Sequence, residues 1–273
     1  MPAILVDQDL CTRCGICSAV CAMGVIDSAD ENTLPRVNKA RAISCIHCGH
    51  CEAHCPTQAL LFNERPDEKV RLPASTGDII AGDLGYYLRK RRSVRHFTRD
   101  PVSKEKILEL LDIARYAPSG GNGQPVEWIV VEDRKKVHRI AELTIEWMKT
   151  LTESNHPMGR YVPTLIREWE HGHDVICRDA PHLLFAHIPG DRPIAPVVDA
   201  IIALTHFDIA APAFGIGTCW AGFVAGAARE YQPLKDYLGI PEGRIPAYAM
   251  MFGNPQYKIY GIPRRKPLKV TWQ

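Results

Sequence analysis

The sequence predicts an α+β chain of two domains, and three observations predict it. Eight cysteines crowd into the first 55 residues as two matching quartets, residues 64–80 are polar and broken by Pro and Gly, and beyond them helical patterns alternate with a few short apolar runs. The first pattern suits a loop-rich metal-binding module and the last a layered domain of helices on few strands. The 273 residues can bury a core without covalent help, and 46% hydrophobic with 23% charged residues excludes an acidic disordered chain. A net charge of +2 argues against bulk nucleic-acid binding. The most apolar stretch, Val197–Gly217, carries Asp199, His206 and Asp208, so no membrane span is expected. Met1–Asp7 lacks the basic and apolar regions of a signal peptide, which makes a soluble cytoplasmic protein the expectation.

The cysteines come first in the argument. Cys11, Cys14, Cys17 and Cys21 recur 34 residues later as Cys45, Cys48, Cys51 and Cys55, with Gly15 matched by Gly49, so residues 1–63 read as two copies of one unit. Both quartets are Cys-x2-Cys-x2-Cys-x3-Cys; Pro56 follows the second, whereas Ala22 follows the first. Three thiolates on one tight loop can wrap three corners of an iron–sulfur cube, while the fourth reaches away to another. Zinc favours two Cys-x2-Cys pairs, and disulfides need an oxidising compartment. The segment resembles bacterial two-cluster ferredoxins. That resemblance implies a ferredoxin-like double βαβ-type fold. It also implies one 4Fe–4S cluster on Cys11, Cys14, Cys17 and Cys55, and a second on Cys45, Cys48, Cys51 and Cys21. Four cationic side chains meet six acidic ones up to residue 63, a net charge of −2. Negative surroundings keep such centres reducing, about −400 mV in ferredoxins, so strong one-electron donors are expected.

Residues 64–80 form the expected linker, leaving 81–273 as the second domain. Ser103 can cap a helix that places Ile107, Leu110, Leu111 and Ala114 on one face and stops before Pro118. Trp128–Val131, Leu183–Ala186 and Ala247–Phe252 suit buried strands, and Val197–Ala211 suits a helix buried on several sides. Three segments carry chemistry. Arg89–Arg95 sets arginine forks beside Ser93, fit for a phosphate monoester. Ala117–Pro125 is a glycine-rich loop whose Asn122 and Gln124 offer amide donors and acceptors to a flat heterocycle. Gly215–Gly222 lets backbone N–H groups approach a ring closely.

In this order and spacing, the segments resemble the FMN-dependent nitroreductase family, an α/β/α layered fold. The resemblance implies that Arg91, Arg92 and Ser93 contact the FMN phosphate and ribityl chain, and that Arg95 lies at the N1/O2 side of the ring. Pro118, Ser119, Asn122 and Gln124 would border the ring or ribityl chain. Cys219, Trp220, Ala221 and Gly222 would line the rest of the pocket, and Arg264 and Arg265 would close on the phosphate. Members of the family are homodimers with FMN at the interface.

A flavin-dependent oxidoreductase is the expected function, with no side-chain nucleophile. Electrons would pass from a low-potential donor such as reduced ferredoxin, through two 4Fe–4S clusters, to FMN and an electron-poor acceptor such as a nitroaromatic or quinone. Two alternatives are an NAD(P)H-driven flavoenzyme with the clusters as exit, and a non-catalytic electron carrier or redox sensor. Cys219 and Cys177 read as packing thiols, and Glu170–Asp174 as a hydrated loop rather than a metal site. Residues 145–175 read as a helical lid or as dimer packing.

Overall fold

A computed structural model describes residues 2–30, 32–62, 77, 79–152, 156–191 and 196–273. The expected linker, 64–80, lies outside the described residues apart from Gly77, Ile79 and Ile80. The chain divides into two compact units, one of Met1–Asp78 with Gly121–Gly123, the other of Ile79–Gly120 with Gln124–Gln273.

The first unit is built twice. Strand β1 (Ile4–Val6), helix α1 (Ile16–Ala19) and strand β2 (Ile26–Asp27) are followed by β3 (Arg36–Val37), α2 (His50–Ala53) and β4 (Leu60–Phe62). β1 pairs antiparallel with β4, Leu5 opposite Leu61, and β2 pairs with β3. Val25, Ile26, Cys51 and Leu60 are buried at the centre, with Ile4, Val6 and Phe62 packed around them. The repeat extends into the backbone. Arg13, Gly15 and Gly24 hold φ of 54°, 75° and 58°; 34 residues on, His47, Gly49 and Gln58 hold 53°, 70° and 57°. Gly15 and Gly49 are the N-caps of α1 and α2, where a left-handed turn strains any residue with a side chain.

The second unit is a four-stranded antiparallel sheet with helices on both faces. β5 (Glu127–Val131), β6 (His182–Pro189), β8 (Arg244–Gly253) and β7 (Gly217–Trp220) lie side by side in that order. Alternation along the strands divides the core. Leu184, Ala186 and Ile188 of β6, with Met250 and Phe252 of β8, face α4 (Lys104–Ala114) and α7 (Pro196–Ala210). Leu183 and Phe185, with Ala249 and Met251, face α5 (Arg134–Thr150), α8 (Gly222–Glu230) and α9 (Gln232–Leu238). The cap on α4 is the expected one: Ser103 Oγ accepts from Lys106 N at 3.4 Å, and Ile107, Leu110 and Ala114 are buried. Helix α3 (Ala81–Lys90) delivers the chain to the arginine-rich segment, and Tyr87 donates its hydroxyl to the Ile209 carbonyl at 2.6 Å.

Helix α7 buries one face, through Ala200, Leu204 and Phe207, while Val197, Val198 and Ile209 stay exposed. Val197–Phe214 is long and apolar enough to cross a membrane by composition, but it packs against the sheet and α4 and buries Asp199 and Asp208. Within 145–175, Ile145, Trp147, Met148, Leu151 and Val162 belong to the unit's own core. The first three continue the helical period of Val137, Ile140 and Ala141 along α5, while Met158 and Val175 line a cavity of the same unit. The second stretch of that region forms α6 (Val162–Glu170). Beyond β8, residues 254–273 form no helix or regular strand, and Tyr260, Leu268 and Trp272 are at least 90% exposed.

Candidate cofactor sites

In the first unit the two quartets form two groups. Cys11, Cys14 and Cys17 line one small cavity together with Cys55 and Pro56. The Cys17 thiol is pushed up by burial and further by the neighbouring Cys14 and Cys11. Cys51 is pushed up to about 11, first by burial and then, more weakly, by Cys48 and Cys21. Cys11, Cys14 and Cys17 thus meet Cys55, and Cys48 and Cys51 meet Cys21, the last cysteine of the other copy in each case, across the packed α1 and α2. Among the described residues no three His, Cys, Asp or Glu side chains converge closely enough to hold one ion. Four sulfurs standing around a cavity suit a body with several iron corners better than a single zinc.

The loops fit an anionic cluster. Left-handed residues at 13 and 15, and at 47 and 49, make the kind of concavity in which backbone N–H groups gather around negative charge. Val25 N donates to Cys21 Sγ at 3.3 Å, and His50 Nδ1 lies 3.1 Å from Cys48 Sγ. Cys55 is only slightly buried; burial raises its thiol, but backbone donors around Leu60 and the Thr57 hydroxyl outweigh this and hold it below its ordinary value. In the same unit Asn122 Nδ2 donates to the carbonyls of Ile46, at 3.2 Å, and His47, at 2.9 Å.

In the second unit the arginine-rich segment lies along the free edge of β7. Ser93 bridges Thr218 in parallel, and Val94 N donates to the Thr218 carbonyl at 2.8 Å. A Cβ on Gly217 would stand 2.6 Å from Val94 Cγ2, so only glycine permits this approach. Arg91 Nη1 lies 3.4 Å from Asp208 Oδ2, and Arg92 donates to the Arg89 carbonyl. Arg91 Nη1 is buried with only this ion pair to Asp208, and Arg92 Nε is buried with no hydrogen-bond acceptor among the described residues, an arrangement that suits an incoming phosphate. Asp208 went unrecognised in the sequence as a site residue. It accepts from the Thr218 hydroxyl and from Trp220 Nε1 at 3.1 Å, joining Arg91 to the strand that carries the pocket.

Next to this edge lies a cavity of about 480 Å³, within the range of small-molecule sites. Arg95, Cys219, Trp220, Ala221 and Gly222, five of the expected residues, line it together. Arg178, Phe223 and Tyr248 also line it and were not foreseen. Burial pushes the Cys219 thiol up, while the nearby Arg95 and Arg178 guanidiniums pull it down. Trp220 meets Tyr248 edge to face at 5.2 Å. The remaining expected residues do not line this cavity. Ser119 Oγ accepts from Gln124 N at 2.9 Å, and Gly120 N donates to Asp199 Oδ1 at 3.0 Å, so the Pro118–Gln124 segment is pinned at two points. Arg264 and Arg265 lie on the exposed tail. Cys177 is fully buried and its thiol is pushed well up, consistent with a packing role. Within Glu170–Asp174, Asp174 accepts three backbone N–H bonds and His173 pairs with Glu168, so these residues close a loop.

Comparison with known proteins settles the family. Residues 88–254 match the nitroreductase family, well over half of the chain. The chain belongs to the nitroreductase family. Residues 10–60 match a 4Fe-4S dicluster domain, so this nitroreductase is an FMN-dependent oxidoreductase joined to an iron–sulfur domain. A protein of Archaeoglobus fulgidus with the provisional name NADH dehydrogenase/NAD(P)H nitroreductase is 31% identical over 166 residues, 61% of this chain and 82% of that one. The FMN reductase (NAD(P)H) of Bacillus subtilis is 28% identical, over 65% of this chain and 68% of that one. A Bacteroides fragilis nitroreductase solved with bound FMN shares the fold at a TM-score of 0.53 and 21% identity, covering 68% of this chain and 95% of that one.

Proposed function

We propose that this chain reduces a small electron-poor acceptor, such as a nitroaromatic or a quinone, with electrons from a low-potential donor such as reduced ferredoxin. When bound, two 4Fe–4S clusters would supply one-electron exchange and FMN would link it to two-electron chemistry. The carrying observation is the shared wall of Cys11, Cys14, Cys17 and Cys55, because an iron–sulfur module serves a flavin domain only as a source or sink of single electrons.

The chain's own residues would do the following. Cys11, Cys14, Cys17 and Cys55 would hold one cluster, and Cys45, Cys48, Cys51 and Cys21 the other. Arg91 and Arg92 would take the flavin phosphate, Arg91 while steadied by Asp208 and Arg92 through its unpartnered Nε, and Ser93 would assist. Arg95 would place positive charge at the edge of the ring that becomes anionic on reduction. Cys219, Trp220, Ala221 and Gly222 would wall the ring, while Pro118, Ser119, Asn122 and Gln124 would border it or the ribityl chain. A homodimer belongs to this reading: Arg264 and Arg265 stand on an exposed tail, where they would serve the flavin of a second copy. A reducing, cytoplasmic setting also belongs to it, since thiolates that hold iron–sulfur clusters must be kept from oxidising to disulfides.

NAD(P)H as donor, with the clusters as exit, is a second reading, supported by the names of both curated relatives. Anaerobic purification with iron, sulfide and flavin measured per chain tests the cofactor content. Steady-state rates with reduced ferredoxin, NADH and NADPH then separate the donors. A colourless, zinc-loaded chain would overturn the proposal.

A further inference from the structure

The cavity beside β7 carries a cation that the flavin reading does not use. Arg178 lines it together with Phe223, Tyr248 and Met158, none of which the flavin reading uses. Two observations indicate that its position is built. First, Arg178 and Asp179 both hold left-handed backbone, with φ of 57° and 52°, which residues with side chains adopt at a cost and which clusters at functional sites. Second, the turn is held from several directions. Asp174 accepts from Ile176 N, Cys177 N and Asp179 N at 2.8–3.0 Å, Cys177 is fully buried beneath it, and Arg134 pairs with Asp179 at 3.3 Å. The strained turn therefore fixes a half-buried guanidinium at the cavity wall.

Neither Arg178 nor Arg95 meets a carboxylate within ion-pair distance among the described residues. Both cations line the same cavity, and the Cys219 thiol on its wall feels both charges. If the flavin ring takes Arg95, Arg178 remains for another anion. Its planar fork matches a carboxylate in bidentate fashion, and the aromatic wall suits a flat ring.

We propose that Arg178 is the specificity residue of the acceptor site and that the preferred acceptors are planar aromatic carboxylates. This rests on the flavin reading above and names the acceptor class within it. The test uses the full chain, anaerobically purified with FMN bound, titrated with benzoate and with its neutral counterpart benzamide while flavin absorbance is followed. Benzoate should bind about tenfold tighter or better. In Arg178→Met the preference should fall to about twofold or less by loss of benzoate affinity, and Arg178→Lys should keep part of it. Equal binding of the two ligands by the native chain, or an unchanged preference in Arg178→Met, overturns the assignment. If Arg178→Met instead sheds FMN, or shifts the flavin midpoint potential with no ligand present, Arg178 serves the flavin and the acceptor assignment fails. A native chain that retains no flavin overturns the parent reading, and flavin content shows this before any titration begins.

Discussion

Asp208 illustrates how one side chain can organise a site without touching its ligand. It is buried on α7, with one carboxylate oxygen accepting from Thr218 and the other from Trp220, and Arg91 lies beside it. Asp208→Leu would leave a hydroxyl, an indole N–H and a guanidinium buried without their acceptor, a loss of about 3–5 kcal/mol. Thermal unfolding should then fall by roughly 10 °C, read by circular dichroism. His182 gives a pH signature. Its Nε2 accepts from Val102 N at 2.8 Å, and burial outweighs the carboxylate and backbone of Glu132 to hold its pKa below the ordinary 6.5. Below that ordinary value the unfolded chain takes up a proton that the folded site refuses, so stability must fall as pH drops through about 6.5, until the folded site itself protonates. Urea midpoints at about pH 7.5 and about pH 5.5 should differ less in His182→Gln than in the native chain. At this scale the sequence was partly legible. An acid within an apolar helix signals a buried partner, yet Asp208 was read only as a bar to membrane insertion. Nothing in the neighbours of Arg178 announces a left-handed turn, because that conformation depends on Asp174 folding back from outside it.

Elements whose register depends on local chemistry were the most legible. The cap and buried stripe of α4, and strands β5, β6 and β8, lie where periodicity expects them. The 34-residue repeat showed Gly15 and Gly49, but concealed the equivalence of Arg13 with His47 and of Gly24 with Gln58, whose side chains differ while their backbones agree. Composition reports how apolar α7 is but not which of its faces meets the sheet, where Ala200, Leu204 and Phe207 are buried. The left-handed caps yield a prediction for the cysteine loops. Gly49→Ala should strain its loop by about 1–2 kcal/mol and lower the iron and sulfide bound per chain, measured against protein concentration after anaerobic reconstitution. Cys48→Ser should reduce iron from about eight atoms per chain to about four if each quartet contributes to one cluster.

For the whole molecule, the decisive feature is the tail after Asn254. Tyr260, Leu268 and Trp272 expose large apolar surfaces along a segment with no regular structure of its own, a costly arrangement for a lone chain in water. Removal of residues 256–273 should convert a dimer to a monomer in sedimentation velocity and should release FMN as well. A truncated chain that stays dimeric and yellow would assign the tail another role. The sequence could show that this segment is basic, but a surface that a second copy would cover leaves no mark in local periodicity.

The pairing of Val94 with Thr218 has a consequence beyond cofactor binding. Strand β7 is the last of its sheet, and the residues around Ser93 cover part of its outer rim, where bare backbone would otherwise invite another chain to add a strand. The same short stretch that would take the flavin phosphate in the proposed reading thus also shields the sheet edge against pairing with its neighbours. Damage to that stretch should make bleaching and precipitation arrive together in the test tube.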